Sequence, residues 1–355
     1  MTTPGSKNDL RIIVVGTSAG GLAALRVLVG AIDQQINAAI FVVQHTTPDG
    51  PGLLPHILQP LTPLPVAHAR DQEPIRRGRV YVAPPNRHLV VDAEQVLTTL
   101  GPRENFARPA VDPLFRSAAL AHGPRVIGVI LTGRLDDGSA GLWAVKERGG
   151  IAIVQDPRDA EYAQMPQNAL SHVRIDHCVP LAQIGPLLGR LAEKSLRSGD
   201  STMPKGLELE TRIAKEEQVS KRELLQLGDP SVFTCPECHG ALLQLKNSPV
   251  LRFRCHTGHA YSLESLIAQL NSDIESNLWT AIRSIEEYTL LLDHVAKHLQ
   301  TAPDKKQLAQ RIGQTAREAE RRAGKVREVV MHDEPLLIDE LEMGATVAPA
   351  ALRKK

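Results

Sequence analysis

The stretch Ile12-Ile13-Val14-Val15-Gly16-Thr17-Ser18-Ala19-Gly20-Gly21-Leu22 decides the fold. An unbroken apolar run ends in a glycine-rich turn, and the helical pattern Leu22–Ile32 follows. Glycines there permit a tight backbone and leave helix N–H groups facing outward. A continuous Val/Ile run, rather than an alternating one, fits a strand covered on both faces of a parallel sheet. The pattern recurs at Ala39–Gln44, Arg79–Ala83, Val126–Thr132 and Ile151–Gln155, with helical segments between. The expectation is a doubly wound, mostly parallel α/β sheet over residues 1–195. Val80–Thr99 reads as a small antiparallel insertion turning at Asp92-Ala93-Glu94, and Cys178 reads as buried in an apolar, strand-like site.

Composition narrows the class. The chain has 355 residues, enough for about two domains. Apolar residues make up 42%, an ordinary globular share once glycine is added, so disorder is excluded as the dominant state. With 41 Lys plus Arg against 40 Asp plus Glu, no bulk field favours nucleic acid or an anionic membrane. No apolar stretch approaches the roughly 18 residues of a membrane span, and the run after Arg11 is too short for a signal peptide. The expected location is the cytoplasm, with no nucleic acid partner and no membrane insertion. Three of the four cysteines fall between positions 235 and 255, a clustering that points to metal rather than disulfides.

Three chemistries compete for the first turn. A dinucleotide fingerprint needs G-x-G-x-x-G and an acidic residue about 20 positions on. Ser18 stands where the second glycine should be, and the next strand ends in Gln44-His45. A P-loop needs Gly-Lys-Ser/Thr, which the turn lacks. Gly16-Thr17-Ser18-Ala19-Gly20 does match G-x-S-x-G, the elbow that exposes a nucleophilic serine. Taken alone, Ser18 reads as a helix N-cap. His45 at the end of the second strand alters that, and Asp136 or Asp137 lies just past another strand. Ligand crevices in open α/β sheets lie outside the carboxyl ends of the strands, so serine, histidine and aspartate would meet at one edge. The bland alternative makes each aspartate a cap of the helix that starts near Gly138.

These residues resemble the catalytic domain of the chemotaxis protein-glutamate methylesterases, the CheB family. The resemblance covers about residues 11–192. It rests on Gly16-Thr17-Ser18-Ala19-Gly20-Gly21, Val43-Gln44-His45 and Tyr81-Val82-Ala83-Pro84-Pro85-Asn86-Arg87-His88-Leu89. It continues through Arg108–Ala119, Leu131-Thr132-Gly133 with Asp137-Gly138, and Met165-Pro166. The resemblance implies hydrolysis of glutamate γ-methyl esters on chemoreceptor-like proteins with release of methanol; some members deamidate glutamine. It makes Ser18 the nucleophile, His45 the general base and Asp137 its orienting partner. Backbone N–H groups at Ala19, Gly20 and Arg134 would hold the oxyanion, and no catalytic cofactor is implied. A general-base histidine must be neutral, so activity is expected to fall below about pH 6.5.

Two departures from the family pattern stand out. The family's Thr-Gly-Met-Gly-x-Asp-Gly is here Thr132-Gly133-Arg134-Leu135-Asp136-Asp137-Gly138, and Leu135 would be strained if that position needs φ > 0. Thr46-Thr47-Pro48 follows His45 where Met-Pro is common. Family members typically carry an N-terminal receiver domain. Ten residues before the first strand leave no room for one, so control by phosphorylation in cis is not expected.

The second half has its own organisation. Residues 196–230 read as a linker with a charged helix. Residues 231–262 read as a Cys/His module with C-x2-C-x16-C-x3-H spacing: Cys235, Cys238, Cys255 and His259. Two knuckles a hairpin apart suit tetrahedral structural zinc, with His239 and His256 as alternative fourth ligands. An unmetallated or redox-active cysteine cluster is one rival. Haem at Cys235-Pro236-Glu237-Cys238-His239 is another, but it would leave Cys255 and His259 without a role. Apolar residues from Leu263 to Leu299 at spacings of three and four predict an amphipathic helix of about 35 residues. A second helix to about 330 follows the break at Thr301–Asp304, giving a helical region over 263–335 and a disordered tail over 336–355. So long a single apolar stripe needs a partner, either the second helix or another copy of the chain. The competing functional reading is a catalytically weak signalling scaffold that binds receptors or partners through the same fold and the helical tail.

Overall fold

The computed structural model describes residues 10–195, 203–246 and 248–332. The predicted tail at 336–355 and part of the predicted linker lie outside them. The chain divides into two compact units, one ending at Leu266 and the other beginning at Ile267.

The first unit opens with β1 (Arg11–Thr17), α1 (Gly21–Gly30), β2 (Ala38–Gln44), α2 (Leu54–Leu58) and β3 (Val66–His68). There follow β4 (Glu73–Pro74), β5 (Val80–Val82), β6 (His88–Val91), β7 (Gln95–Thr99) and α3 (Val111–His122). Next come β8 (Val126–Ile130), α4 (Ser139–Glu147), β9 (Ile151–Gln155), α5 (Gln164–His172), β10 (His177–Val179) and α6 (Leu181–Glu193). Seven strands form one sheet in the order β10-β9-β8-β1-β2-β5-β3, every neighbouring pair parallel. Ile12 and Val14 of β1 pack on one face with α3 and α4, while Ile13 and Val15 pack on the other with α1 and α6. Double-sided burial is the reason the strand sequences run apolar without alternation. The chain builds outward from β1 to β3, then returns to lay β8 on the other flank of β1. Open α/β sheets bind ligands at such a reversal, which here falls at the carboxyl ends of β1 and β8.

Two expectations need correction. The antiparallel insertion is smaller than Val80–Thr99: β6 and β7 form the hairpin through Asp92 with β4 at its edge, whereas Val80–Val82 belongs to the parallel sheet. Cys178 is exposed, because β10 is the sheet's edge strand and only one neighbour covers it.

The first unit continues with α7 (Leu207–Ala214) and α8 (Lys221–Leu224), the latter closed by a capping box between Ser220 and Glu223. Then β11 (Gly228–Thr234), β12 (Ala241–Leu245), β13 (Arg252–Cys255) and β14 (Ala260–Ser262) form an antiparallel sheet in sequence order. Its small core joins Leu242, Phe253, Tyr261 and Leu266 with Cys235 and Cys255.

Two helices complete the described residues: α9 (Leu263–Gln300) and α10 (Lys306–His332). Within the second unit the predicted long helix and the break after it are both present. Ala309, Ala316 and Ala323, seven residues apart, are buried on α10 as Ile282 and Ala296 are on α9, and Arg327 reaches Glu286 at 2.5 Å. The stripe therefore finds a partner in the second helix, although Ile274, Tyr288 and Leu291 remain exposed.

Candidate active site

Three strand ends bring Ser18, His45 and Asp137 together. Ser18 directly follows β1, and its N–H donates to Thr132 O at 3.1 Å, tying the turn to the chain after β8. Thr132 is the hub of that junction: its Oγ1 donates to Ala19 O at 3.0 Å and accepts from Tyr162 N–H at 2.8 Å. Gln44 holds the turn from the other side, its Nε2 donating to Ser18 O at 2.7 Å and to His45 O at 3.1 Å. Helix α1 is capped by Gly20 at φ +74°, with no side-chain cap. Ser18 is therefore not the N-cap that the turn alone suggested.

Ser18 Oγ lies 3.1 Å from His45 Nδ1, and His45 Nε2 lies 2.7 Å from Asp137 Oδ2. Asp137 is buried, yet four donors converge on its carboxylate. Oδ2 accepts from His45 and from Val111 N–H at 2.7 Å; Oδ1 accepts from Asn105 Nδ2 at 2.9 Å and Asp112 N–H at 3.2 Å. Val111 and Asp112 open α3, so the carboxylate sits on that helix's positive end. Burial alone would raise its pKa; the bonds from His45, Val111 and Asn105 outweigh it and hold Asp137 below the usual carboxylate range. An ionised carboxylate only accepts, so Nε2 carries the imidazole hydrogen and Nδ1 presents its lone pair to Ser18.

The pair Asp136/Asp137 divides its roles. Asp136 turns away from the histidine and accepts from Ser262 Oγ at 2.5 Å. Burial, then the charge of Glu264, raise its pKa well above normal. Neither aspartate caps α4, whose N-cap is Gly138 at φ +96°. Asp137 instead caps α3, across space, which the local sequence does not announce.

Ala19, Gly20 and Arg134 are the turn residues expected to hold the oxyanion. Ala19, Gly20 and Arg134 have N–H groups that pair with no backbone acceptor among the described residues. Gly20 has little room for a side chain, since a Cβ there would meet Glu161 Oε2 at 2.8 Å and Thr132 Oγ1 at 3.0 Å. Leu135 does adopt φ +59°, the conformation feared for it. Its N–H donates to Gln164 Oε1 at 3.2 Å and its C=O accepts from Asn168 Nδ2 at 3.0 Å, so α5 holds the strained turn at both ends.

A second constellation lies in the antiparallel module. The ligand atoms of Cys235, Cys238, Cys255 and His259 all lie within 4.8 Å of one another. Cys238 and Cys255 Sγ are 3.6 Å apart, and His259 Nδ1 is 3.7 and 3.6 Å from the Sγ atoms of Cys235 and Cys255. Thiolates about 2.3 Å from a tetrahedral zinc stand about 3.8 Å apart, so the donor set fits such an ion. Glu237 Oε2, 3.5 Å from His259 Nε2, is placed to orient the imidazole from behind. His239 and His256 are exposed and outside the group. With His239 turned out and His259 turned in, the geometry departs from a C-x-x-C-H haem site.

Sequence reading missed Gln44 as a holder of the nucleophile turn, and it missed Asn105. It also missed a buried ion cluster. Glu104 pairs with Arg116 at 2.6 Å and Arg254 at 3.0 Å; Glu210 pairs with Arg252 at 2.8 Å and Arg254 at 2.9 Å. Asn105 lies three residues before the Arg108-Pro109 block, a proximity that could have flagged it. The ion partners lie up to 150 positions apart and have no such signal.

Comparison with known proteins bears on this site. Residues 13–188 match the CheB methylesterase family. A relative from Leptospira interrogans is 40% identical over 185 residues, 52% of this chain and 96% of the relative. The Moorella thermoacetica protein-glutamate methylesterase/protein-glutamine glutaminase is 36% identical over 190 residues, 52% of this chain and 45% of that protein. The solved Thermotoga maritima CheB methylesterase catalytic domain is 32% identical with a TM-score of 0.50, covering 51% of this chain and 98% of that one.

Proposed function

The chain belongs to the CheB methylesterase family and is a methylesterase, and we propose that it hydrolyses glutamate γ-methyl esters on a chemoreceptor-like protein through Ser18, His45 and Asp137. The observation that carries this reading is the continuous path from Ser18 Oγ through the imidazole to a carboxylate buried on the α3 N-terminus. Ser18 Oγ attacks the ester carbonyl while its proton passes to His45 Nδ1. Asp137 stabilises the imidazolium that forms. The tetrahedral oxyanion takes the N–H groups of Ala19, Gly20 and Arg134. Collapse expels methoxide, which collects the proton from Nδ1 and leaves as methanol. Water then gives its proton to Nδ1 as it attacks the acyl-serine, and collapse breaks the Ser18 ester bond, returns that proton from Nδ1 to Ser18 Oγ and frees the glutamate side chain. Glutamine deamidation would follow the same route with ammonia leaving.

Residues 1–195 form the catalytic domain in this reading, and 231–262 a structural zinc module on Cys235, Cys238, Cys255 and His259. The metal would fasten the two knuckles and take no part in the ester chemistry. The enzyme acts in the cytoplasm, and the exposed apolar residues of α9 are where copies of the chain would associate.

The test is methanol release from a methylated receptor. Intact protein is expected to release methanol, and Ser18→Ala and His45→Ala to lose at least about 10³-fold in kcat. A Ser18→Ala rate equal to the parent's rejects the assignment.

A further inference from the structure

Asn105 lies outside the serine–histidine–aspartate path but supplies one of the four hydrogen bonds to its carboxylate, and the residues that fix Asn105 come from the far end of the first unit. Its amide is gripped at both ends. Oδ1 accepts from Ser262 N–H at 2.8 Å and from Ser265 Oγ at 3.0 Å. Nδ2 donates to Asp137 Oδ1 at 2.9 Å. A backbone N–H can only donate, so Ser262 dictates which end of the amide is oxygen and thereby turns the NH2 end toward Asp137. A free asparagine side chain has no such preference.

The backbone is held as firmly. Asn105 and Phe106 both have left-handed φ, +50° and +59°. Asn105 N–H donates to Ala260 O at 2.8 Å, and Ala260 N–H returns a bond to Arg103 O at 3.2 Å. Phe106 packs its ring on Tyr261, centroids 4.7 Å apart, while Glu104 is bound by Arg254 of β13. Three consecutive residues are thus anchored by β13 and β14 of the Cys/His module. Ser262 closes the circuit by donating its Oγ hydrogen to Asp136, the neighbour of Asp137.

We propose that Asn105 is a positioning residue for the esterase reaction, and that Ser262, the last residue of the Cys/His module, and Ser265 in the first turn of α9 set it, so that the module and the helix start are an integral support of the catalytic carboxylate. Ser262 and Ser265 lie beyond the matched residues 13–188, so this support is added from outside the shared catalytic domain. The inference rests on the esterase reading for its kinetic test but not for its spectroscopic one.

The experiment uses the full chain as Asn105→Ala, Asn105→Asp and Ser265→Ala, each checked for folding by circular dichroism. Two readouts are taken: kcat and KM for methanol release, and the low-field proton resonance of the His45 Nε2–H bond to Asp137. Asn105→Ala is expected to lower kcat about ten- to hundredfold with KM within about twofold, and to shift or broaden the resonance. Asn105→Asp places a second carboxylate against Asp137 and is expected to lose more. Ser265→Ala keeps the asparagine but removes one of the two bonds to its Oδ1, and is expected to lose about threefold in kcat with a smaller shift of the resonance. Should Asn105→Ala fail to fold, Ser265→Ala carries the test by itself. A folded Asn105→Ala with kcat within twofold of the parent and an unmoved resonance overturns the proposal. If the parent shows no Ser18-dependent release, the esterase reading fails, while the resonance still reports whether Asn105 sets the His45–Asp137 bond.

Discussion

Leu135 occupies the left-handed region at φ +59°, two residues before Asp137 and one after a proposed oxyanion donor. For a side chain not branched at Cβ that conformation costs roughly 1–2 kcal/mol, and for a β-branched one more. The bonds to Gln164 and Asn168 hold the turn in place, so the strain is borne by the fold. Leu135→Gly is therefore expected to be neutral or to stabilise by up to about 1 kcal/mol, and Leu135→Ile to destabilise by about 1–2 kcal/mol. Urea unfolding measures both. Equal stability in the two variants would contradict a strained turn.

At the scale of elements, the junction of α3, α7 and β13 is built from charge. Burial opposes ionisation of Glu210, but Arg252, Arg116 and Arg254 outweigh it and hold its pKa below the usual 4.5. A depressed folded pKa means the unfolded chain binds more protons, so this stabilisation is whole above about pH 4.5 and fades as pH falls below it. Asp112 and Asp136 act in the opposite sense, since burial raises both, so the clean observable is a difference between two proteins. Glu210→Gln leaves buried guanidinium groups short of a counter-charge and is expected to cost about 3–5 kcal/mol at pH 7. That gap should narrow steadily between pH 4.5 and 3; denaturant curves at each pH read it. A gap independent of pH would mean that the pairing contributes nothing through ionisation. The same junction marks where sequence reading stops. Strands such as Ile12–Val15 were legible because burial on both faces leaves a run of one residue type, and Ser18 and His45 because each directly follows such a run; position alone left Asp136 and Asp137 open, and the family resemblance selected Asp137. Glu104, Glu210 and the three arginines look like ordinary surface charge in sequence. Only the packing of α7 and β13 against α3 takes them out of water. Asp137 reads locally as a cap for α4 and serves α3 instead, because that choice depends on where the sheet places a helix some 25 residues upstream.

For the molecule as a whole, these links mean that catalytic domain and Cys/His module should answer to one another. His259 directly precedes Ala260, whose carbonyl holds the Asn105 backbone, and Cys255 ends the strand that carries Arg254 to Glu104. A metal on Cys235, Cys238, Cys255 and His259 would fix those two chain segments relative to one another, as structural zinc does in small modules that lack a core of their own. Elemental analysis of the full chain is expected to give about one zinc per protein. Removing it with a chelator should lower the melting temperature and shift the His45 Nε2–H resonance in the sense seen for Asn105→Ala. It should also reduce kcat with little change in KM, and added zinc should restore all three. A chelated protein that lost its metal and some stability but kept the resonance and kcat would confine the metal to the module. A change in all three signals together would make the Cys/His cluster a distant part of the active site, acting through Ala260, Asn105 and Asp137 in turn.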